Sequence, residues 1–498
     1  MNAVDHLLGA AALARHGTRV ALIGGDERVT YAQLAARTAQ SAAALKALGV
    51  RPGERVLIMM RDSPEFAAAW LGAVHAGAVA VGVNSKLSDG DVRHIARDSG
   101  AKLALIEDAF LGERRGLAAD VRLIASAEWR ALVRDAPQAV AFDATPDSPA
   151  LMLYSSGTTG RPKGIVHRHY SLLCVGASFR ELGLGEGDCV FTTSKFFFAY
   201  GLEHGLLSPL SHGATSVLCA DWPDTQAVVD LVSRHRPAAL FSVPTIYRRL
   251  LAEAPERLAA FTGVRRFVAG GERLSVQLQT QWKTAIGAEI LNLYGMSETF
   301  CACIVTPPGT SDGLRTGKPL PGVELRLLSE GDTQPATDDP GVLWVRHPAQ
   351  ASGYANLPEQ TREQFRDGWF CSRDLFVRDA DGYYIHQGRS DELIKVAGQW
   401  VQPAELEEAA AREAAVAEAA CVPVQDADGL ERLALFVTPR GEPAAAQHAA
   451  LEACERALPR HKRPKWIRVV AELPRTATGK VQRYRLREIL ERELSGKG

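Results

Sequence analysis

The sequence predicts an α/β protein in which a large N-terminal domain of parallel or mixed sheets covered by helices is followed by a small α+β domain. Three observations carry that expectation. Strand and helix patterns alternate from the first residues onward, which is how a sheet covered by helices is written into a chain. At 498 residues the chain is too long for one hydrophobic core and should hold two or more domains. After Pro403 the pattern changes to an Ala/Glu-rich helix and two strands, Ala420-Cys-Val-Pro-Val424 and Leu433-Ala-Leu-Phe-Val437, unlike what precedes it.

In the first 150 residues, Thr30 reads as the N-cap of a helix that runs to Leu48-Gly49, and Arg55-Val-Leu-Ile-Met59 as a buried strand. A second helix follows Ser63-Pro64, and strands are expected near 78–83 and 103–106. The apolar stretch 66–83 approaches membrane length, but it contains Gly72, His75, Gly77 and Gly82 and reads as a packed helix running into a strand. No catalytic constellation falls in this part. The 57 Lys and Arg residues balance 58 Asp and Glu, leaving no net field for nucleic acid or an anionic membrane, so neither partner is expected. A small-molecule enzyme is the default. The eight cysteines are scattered without a CxxC pair, and the N-terminus lacks the order of a signal peptide, which together predict a reduced, cytoplasmic setting.

The chemistry begins at Tyr154-Ser-Ser-Gly-Thr-Thr-Gly-Arg-Pro-Lys-Gly164, between two apolar runs. A strand entering a Ser/Thr/Gly loop with one Lys builds an anion cradle from N–H groups, hydroxyls and a cation. The spacing is not that of a nucleotide-triphosphatase P-loop, since Lys163 is followed by Gly164 rather than Ser or Thr. His167, Arg168 and His169 flank the loop and read as electrostatic support for the anion. Next comes an aromatic run, Lys195-Phe-Phe-Phe-Ala-Tyr-Gly-Leu202. Strands over 239–243 and 266–269 end at Pro244-Thr245 and Gly270-Gly271-Glu272; such carboxyl ends are where open α/β sheets bind ligands. A strand over 289–293 delivers Tyr294-Gly-Met-Ser-Glu-Thr299, and three further motifs follow: Gly368-Trp-Phe-Cys-Ser-Arg-Asp374, Gly388-Arg-Ser-Asp-Glu-Leu-Ile-Lys-Val-Ala-Gly398 and Leu473-Pro-Arg-Thr-Ala-Thr-Gly-Lys480.

In this order the motifs resemble those of the adenylate-forming enzymes: acyl-CoA synthetases, adenylation domains and luciferases. Phe-Phe-Ala-Tyr-Gly-Leu most resembles the benzoate-type aryl-CoA ligases. The resemblance implies ATP, Mg2+ and coenzyme A as cofactors. It places Ser155, Ser156, Gly157, Thr158, Thr159, Gly160 and Lys163 at the phosphates, and Gly271, Glu272, Tyr294 and Ser297 around AMP, with Tyr294 stacked on adenine. Glu298 is expected to meet Mg2+ and, with Lys480, to serve catalysis; Asp374 would accept both ribose hydroxyls, and Arg389 would reach ribose or phosphate. The acyl pocket would be formed by Phe198, Ala199, Tyr200, Gly201, Gly270, Gly295 and Cys301. Gly398 would line the pantetheine path, and Asp391 would lie in a hinge, 389–392, between domains 1–388 and 393–498.

Two positions depart from the family pattern. Cys301 stands where benzoate ligases carry His, which keeps the aryl class but questions benzoate itself, and Arg373 stands where a Gly usually precedes the ribose-binding Asp. The implied function is AMP-forming ligation of a small aromatic carboxylate to coenzyme A. The alternatives are loading of an aryl acid onto a carrier protein's phosphopantetheine, or non-catalytic binding of an acyl-adenylate. Amino-acid adenylation domains place an Asp in the segment matching 196–200, where this chain has Ala199 and Tyr200, so amino acids are disfavoured as substrates, and the Phe run disfavours long fatty acids. The resemblance also admits a homodimer and a lysine acetyltransferase acting on Lys480.

Overall fold

The computed structural model describes residues 1–114, 121–156, 161–329, 333–396, 399–426, 429–475 and 481–494. The chain forms two compact units: 1–326 with 344–372 and 378–385, and 327–343 with 373–377 and 386–498.

In the first unit, among the described residues, a nine-stranded sheet has at its centre Val20–Gly24, Thr215–Leu218, Cys189–Thr192, Ala239–Ser242, Arg266–Gly270 and Ile290–Gly295, all parallel. These strands are short and apolar on both faces because helices cover both sides. A seven-stranded sheet runs parallel through Pro149–Ser156, Val79–Gly82, Arg55–Met59, Leu103–Ile106 and Arg122–Ala125. Its other flank is antiparallel, made by Pro162–Arg168 and the two-residue strand Gly353–Tyr354.

The helices follow their sequence signals. Thr30 and Gln33 form a reciprocal capping box at the start of Tyr31–Ala47. Ser63 caps Pro64–His75, whose residues are almost all buried. A helix apolar on every side belongs inside a core, and Phe66, Trp70 and Leu71 pack there with Phe196 and Leu206. Gly72 permits that position, since a Cβ would stand 2.4 Å from the Cβ of Ser41 on Tyr31–Ala47. Among the described residues no helix is long and apolar enough to cross a membrane.

In the second unit, Val416–Gln425 pairs antiparallel with Glu431–Pro439, which pairs parallel with Trp466–Val469. Helices Pro403–Ala411 and Pro443–Ala457 share with them a core of Leu406, Cys421, Leu435, Val437 and Ala450, and Arg483–Leu494 packs Leu486 and Leu490 among Ala420, Val422 and Phe436. Ile394–Val396 and Gln399–Val401 form a small hairpin. The architecture is the α/β domain plus small α+β domain that the sequence predicts.

One sequence expectation fails. His167 and His169 give no electrostatic support to an anion, because both are fully buried and burial pushes each imidazole down to about 4. They are neutral at ordinary pH, and Arg168 turns instead to Asp147 at 2.6 Å.

Candidate active site

The phosphate motif sits on a hairpin. Pro149–Ser156 and Pro162–Arg168 pair antiparallel with Ser155 opposite Lys163, which brings together two of the residues expected at the phosphates. Gly157, Thr158, Thr159 and Gly160 fall outside the described residues, and Ser156 closes the first strand. Helix Asp89–Ser99 braces both arms: the Tyr154 hydroxyl donates to Asp98 Oδ2 at 2.8 Å, and His94 Nε2 lies 2.9 Å from the Pro162 carbonyl.

Tyr354, which no sequence motif flagged, links the hairpin to the Tyr294–Thr299 motif. Strand Gly353–Tyr354 adds to the hairpin's second arm, Tyr354 opposite Ile165. Its ring faces the Lys163 ammonium at 5.4 Å, a cation–π contact, and its hydroxyl lies 2.9 Å from Glu298 Oε1 and 2.6 Å from Gln364 Oε1. One aromatic residue therefore touches both the phosphate-loop lysine and the carboxylate expected at Mg2+. Glu298 is held further by its own carbonyl, which accepts from Ala351 N–H at 2.8 Å. Beside it, the neutral ring of His167 lies between the Ser297 carbonyl at 2.7 Å and the Ala349 carbonyl at 3.2 Å. A neutral imidazole donates from one nitrogen only, and the shorter distance makes that Nε2, donating to Ser297.

Where adenine and the acyl group are expected, Tyr294 and Gly295 belong to strand Ile290–Gly295 itself, paired with Ala302–Val305 through an irregularity between them. Gly295 allows close approach, since a Cβ would lie 3.1 Å from Ala302 Cα. Gly271 has φ 79°, a left-handed conformation suited to glycine, and Glu272 accepts from Thr245 N–H at 3.2 Å and Thr245 Oγ1 at 2.7 Å. The loops leaving two adjacent parallel strands are thereby tied together. Gly270 faces Tyr200: a Cβ there would stand 3.0 Å from the ring.

The aromatic run divides its labour. Phe196 is core, packed 5.7 Å from Phe66, whereas Phe198 and Tyr200 are half-buried and Ala199 begins a short helix, Ala199–Leu202. Tyr200 is anchored by its hydroxyl, 3.3 Å from the Ser242 carbonyl and 3.2 Å from that of Val268. Gly201 lets the helix fold back on the chain, since a Cβ would fall 2.2 Å from the Lys195 carbonyl oxygen. A buried ion pair missed by the sequence reading fixes the start of the run. Lys195 lies 3.7 Å from Asp62 and donates to the Cys219, Ala220 and Asp221 carbonyls, while Asp62 Oδ1 accepts from Phe196 N–H at 3.2 Å. The first 150 residues thus help to position the aromatic run. Cys301, on the far side of the Glu298 motif, is buried, and Phe300 beside it holds φ 61°.

In the second unit the structure joins three predicted residues. Arg389 grips Asp391 with two hydrogen bonds of 2.8 Å and reaches Asp374 Oδ1 at 3.3 Å; the two carboxylates hold its guanidinium above its usual range despite burial. Arg373, the departure from glycine, adopts φ 61°, the left-handed region glycine favours, with its carbonyl accepting from Ser390 Oγ at 2.9 Å. Lys480 and Gly398 lie outside the described residues. Around the Lys480 segment, Arg475 bridges to Val481, Gln482 N–H donates to the Pro474 carbonyl at 2.7 Å, and Arg483 pairs with Glu407 at 2.6 Å.

Comparison with known proteins matches the chain in two stretches. A family model described as AMP-binding enzyme matches residues 10–355, and one described as AMP-binding enzyme C-terminal domain matches 405–480. The chain is 40% identical over 514 residues to a 3-hydroxybenzoate--CoA/4-hydroxybenzoate--CoA ligase of Thauera aromatica, covering 99% of this chain and 98% of the relative. A 3-hydroxybenzoate--CoA ligase of Aromatoleum sp. (strain CIB) is 38% identical over 512 residues, with 99% and 97% covered. A solved benzoate CoA ligase from Burkholderia xenovorans LB400 superposes with a TM-score of 0.91 at 32% identity, covering 98% of this chain and 100% of that one.

Proposed function

This chain belongs to the AMP-binding enzyme family, and from that premise we propose that it ligates a small aromatic carboxylate to coenzyme A through an acyl-adenylate, using ATP. The observation that carries this reading is the similarity to hydroxybenzoate–CoA ligases over nearly the whole of both chains. In the first half-reaction a carboxylate oxygen of the substrate attacks the α-phosphorus of ATP and pyrophosphate departs. In the second, the coenzyme A sulfur attacks the acyl carbonyl, its proton passes to water, and AMP leaves with the electrons of the broken C–O bond. Adenylation is needed because a bare carboxylate oxygen is a poor leaving group.

The residues divide these tasks. Lys163, held at the face of Tyr354, and the hairpin tip receive the phosphates, while Tyr294 stacks on adenine. Glu298 is a single carboxylate, and that suits Mg2+, which binds to one or two carboxylates together with substrate phosphates; bound there, it would offset charge developing on the departing pyrophosphate. The Tyr354 hydroxyl orients Glu298 for that role. Asp374, its carboxylate set by Arg389, takes the ribose hydroxyls. Phe198, Ala199, Tyr200 and Gly270 wall the acyl site. Lys480 stabilises the transition state of adenylation, Gly398 lines the pantetheine path, and the small domain turns about Asp391 between half-reactions. Cytoplasmic residence, a homodimer and acetylation of Lys480 belong to the same reading.

The test is AMP release with free coenzyme A across a panel of carboxylates. Benzoate, its hydroxy and amino derivatives, or furoate should outrun palmitate and every α-amino acid. An α-amino acid or palmitate as best substrate would overturn the aryl assignment, and AMP release that requires a carrier protein would overturn coenzyme A as acceptor.

A further inference from the structure

Glu203 is a buried acid that the reaction as described does not use. It follows the pocket helix Ala199–Leu202 and begins a π-helical turn, Glu203–Leu207, a rare irregularity that recurs at functional sites. On a helix, residues three and four apart share a face, so Glu203 lies on the side of Ala199 and Tyr200. Across from it stands the strand after the Glu298 motif: Glu203 Oε2 accepts from Ala302 N–H at 3.1 Å, and the Cys301 thiol, one residue before Ala302, lies beside the same carboxyl. The acid is 2% exposed, and among the described residues no Lys or Arg pairs with it. His204, its nearest basic group at 3.6 Å, is neutral, held between the Tyr200 carbonyl at 3.1 Å and Ser178 Oγ at 3.0 Å. A structural carboxylate buried at this depth would ordinarily carry a cation partner.

We propose that Glu203 is a specificity-determining residue which, together with Cys301, forms a polar end to the acyl pocket and selects aromatic acids bearing a ring hydroxyl or amino group over the unsubstituted acid. The inference rests on the aryl-CoA ligase reading above and narrows its substrate class. Burial pushes the carboxyl up to about 8, so near neutral pH it carries a proton and offers both a donor and an acceptor. A ring hydroxyl satisfies such a group, and an unsubstituted ring leaves it unpaired. That asymmetry is what allows a hydrogen-bonding pocket to reject a smaller analogue.

The experiment compares kcat/KM for benzoate, 3-hydroxybenzoate, 4-hydroxybenzoate and 2-aminobenzoate in the wild type, Glu203→Gln and Glu203→Leu, with benzoate as the internal control. The wild type should prefer at least one substituted acid over benzoate by roughly 10-fold or more. Glu203→Leu should lose most of that preference while holding benzoate within about threefold, and Glu203→Gln, which keeps a donor and an acceptor, should retain it. A wild type that uses benzoate as well as every substituted acid overturns the proposal without any variant. Equal losses on all acids in Glu203→Leu also overturn it, as does a preference unchanged in Glu203→Leu. Failure of the parent reading looks different: no aryl acid is turned over by the wild type, while some other carboxylate is.

Discussion

Arg373 occupies a backbone conformation that costs a residue with a Cβ about 1–3 kcal/mol. The sequence exposed the departure from glycine but not its consequence, which is that the local geometry survives and the chain carries the strain. Arg373→Gly should therefore raise stability by about 1 kcal/mol after the added entropy of the unfolded chain is subtracted, seen as a higher melting temperature with unchanged nucleotide affinity. A lower melting temperature would mean that the arginine side chain stabilises more than its backbone costs. The buried histidines make a second residue-scale prediction. His167, His204 and His347 are each held near 4 by burial, below the ordinary value near 6.5. A depressed folded-state pKa contributes stability above the unfolded value that is lost as pH falls toward the folded one, so the melting temperature should drop between about 6.5 and 4. Glu203 works in the opposite sense: its raised pKa means stability is lost as pH climbs through about 8. A melting temperature that is flat across both windows would contradict these burial assignments.

At the scale of elements, what the sequence made legible tracks how much pattern each element contains. Helix Tyr31–Ala47 announced its cap, and Arg266–Gly270 its buried run and terminal glycines. Gly353–Tyr354 could not be read, because two residues have no period, and its role comes only from the neighbour it pairs with. The π-helical turn at Glu203 was equally hidden, since it sits between two short α-helical turns, Ala199–Leu202 and Ser208–Ser211, and nothing in the residue pattern marks the change of pitch. His167 and His169 misled because a histidine's charge depends on burial, which a short basic cluster does not reveal. The unread strand yields a sharp prediction. Tyr354→Phe keeps the ring beside Lys163 and removes the hydroxyl that meets both Glu298 and Gln364; a hydrogen bond to a charged group such as Glu298 is worth about 1.5–3 kcal/mol. Pyrophosphate exchange should slow by roughly 10-fold or more, while thioester formation from a supplied acyl-adenylate stays near the wild-type rate. Equal slowing in both assays would assign Tyr354 to general packing.

For the whole molecule, the proposed division of labour predicts separable half-reactions. Lys480→Ala should lose adenylation by roughly 10²-fold or more, as for removal of one preorganised charge, yet convert supplied acyl-adenylate and coenzyme A to thioester at nearly the wild-type rate. Asp391→Pro, which restricts φ at the proposed pivot and removes a carboxylate that grips Arg389, should show the reverse if it holds the adenylating arrangement. Parallel losses in both assays for both variants would mean that one fixed arrangement does all the chemistry. The cysteines offer a direct way to watch. All eight are free, and burial pushes seven of the thiols upward, Cys174, Cys189 and Cys454 to about 11 and Cys303 to about 12, with Cys219, Cys301 and Cys421 raised as well. Since the thiolate is the nucleophile, these seven should react sluggishly with maleimide near neutral pH. With the eighth, Cys371, replaced by Ser, a Thr280→Cys, Glu452→Cys pair would place one fast-labelling site on an exposed helix of each unit. The native thiols thus leave a nearly silent background on which two dyes could report, turnover by turnover, whether the distance between the units changes.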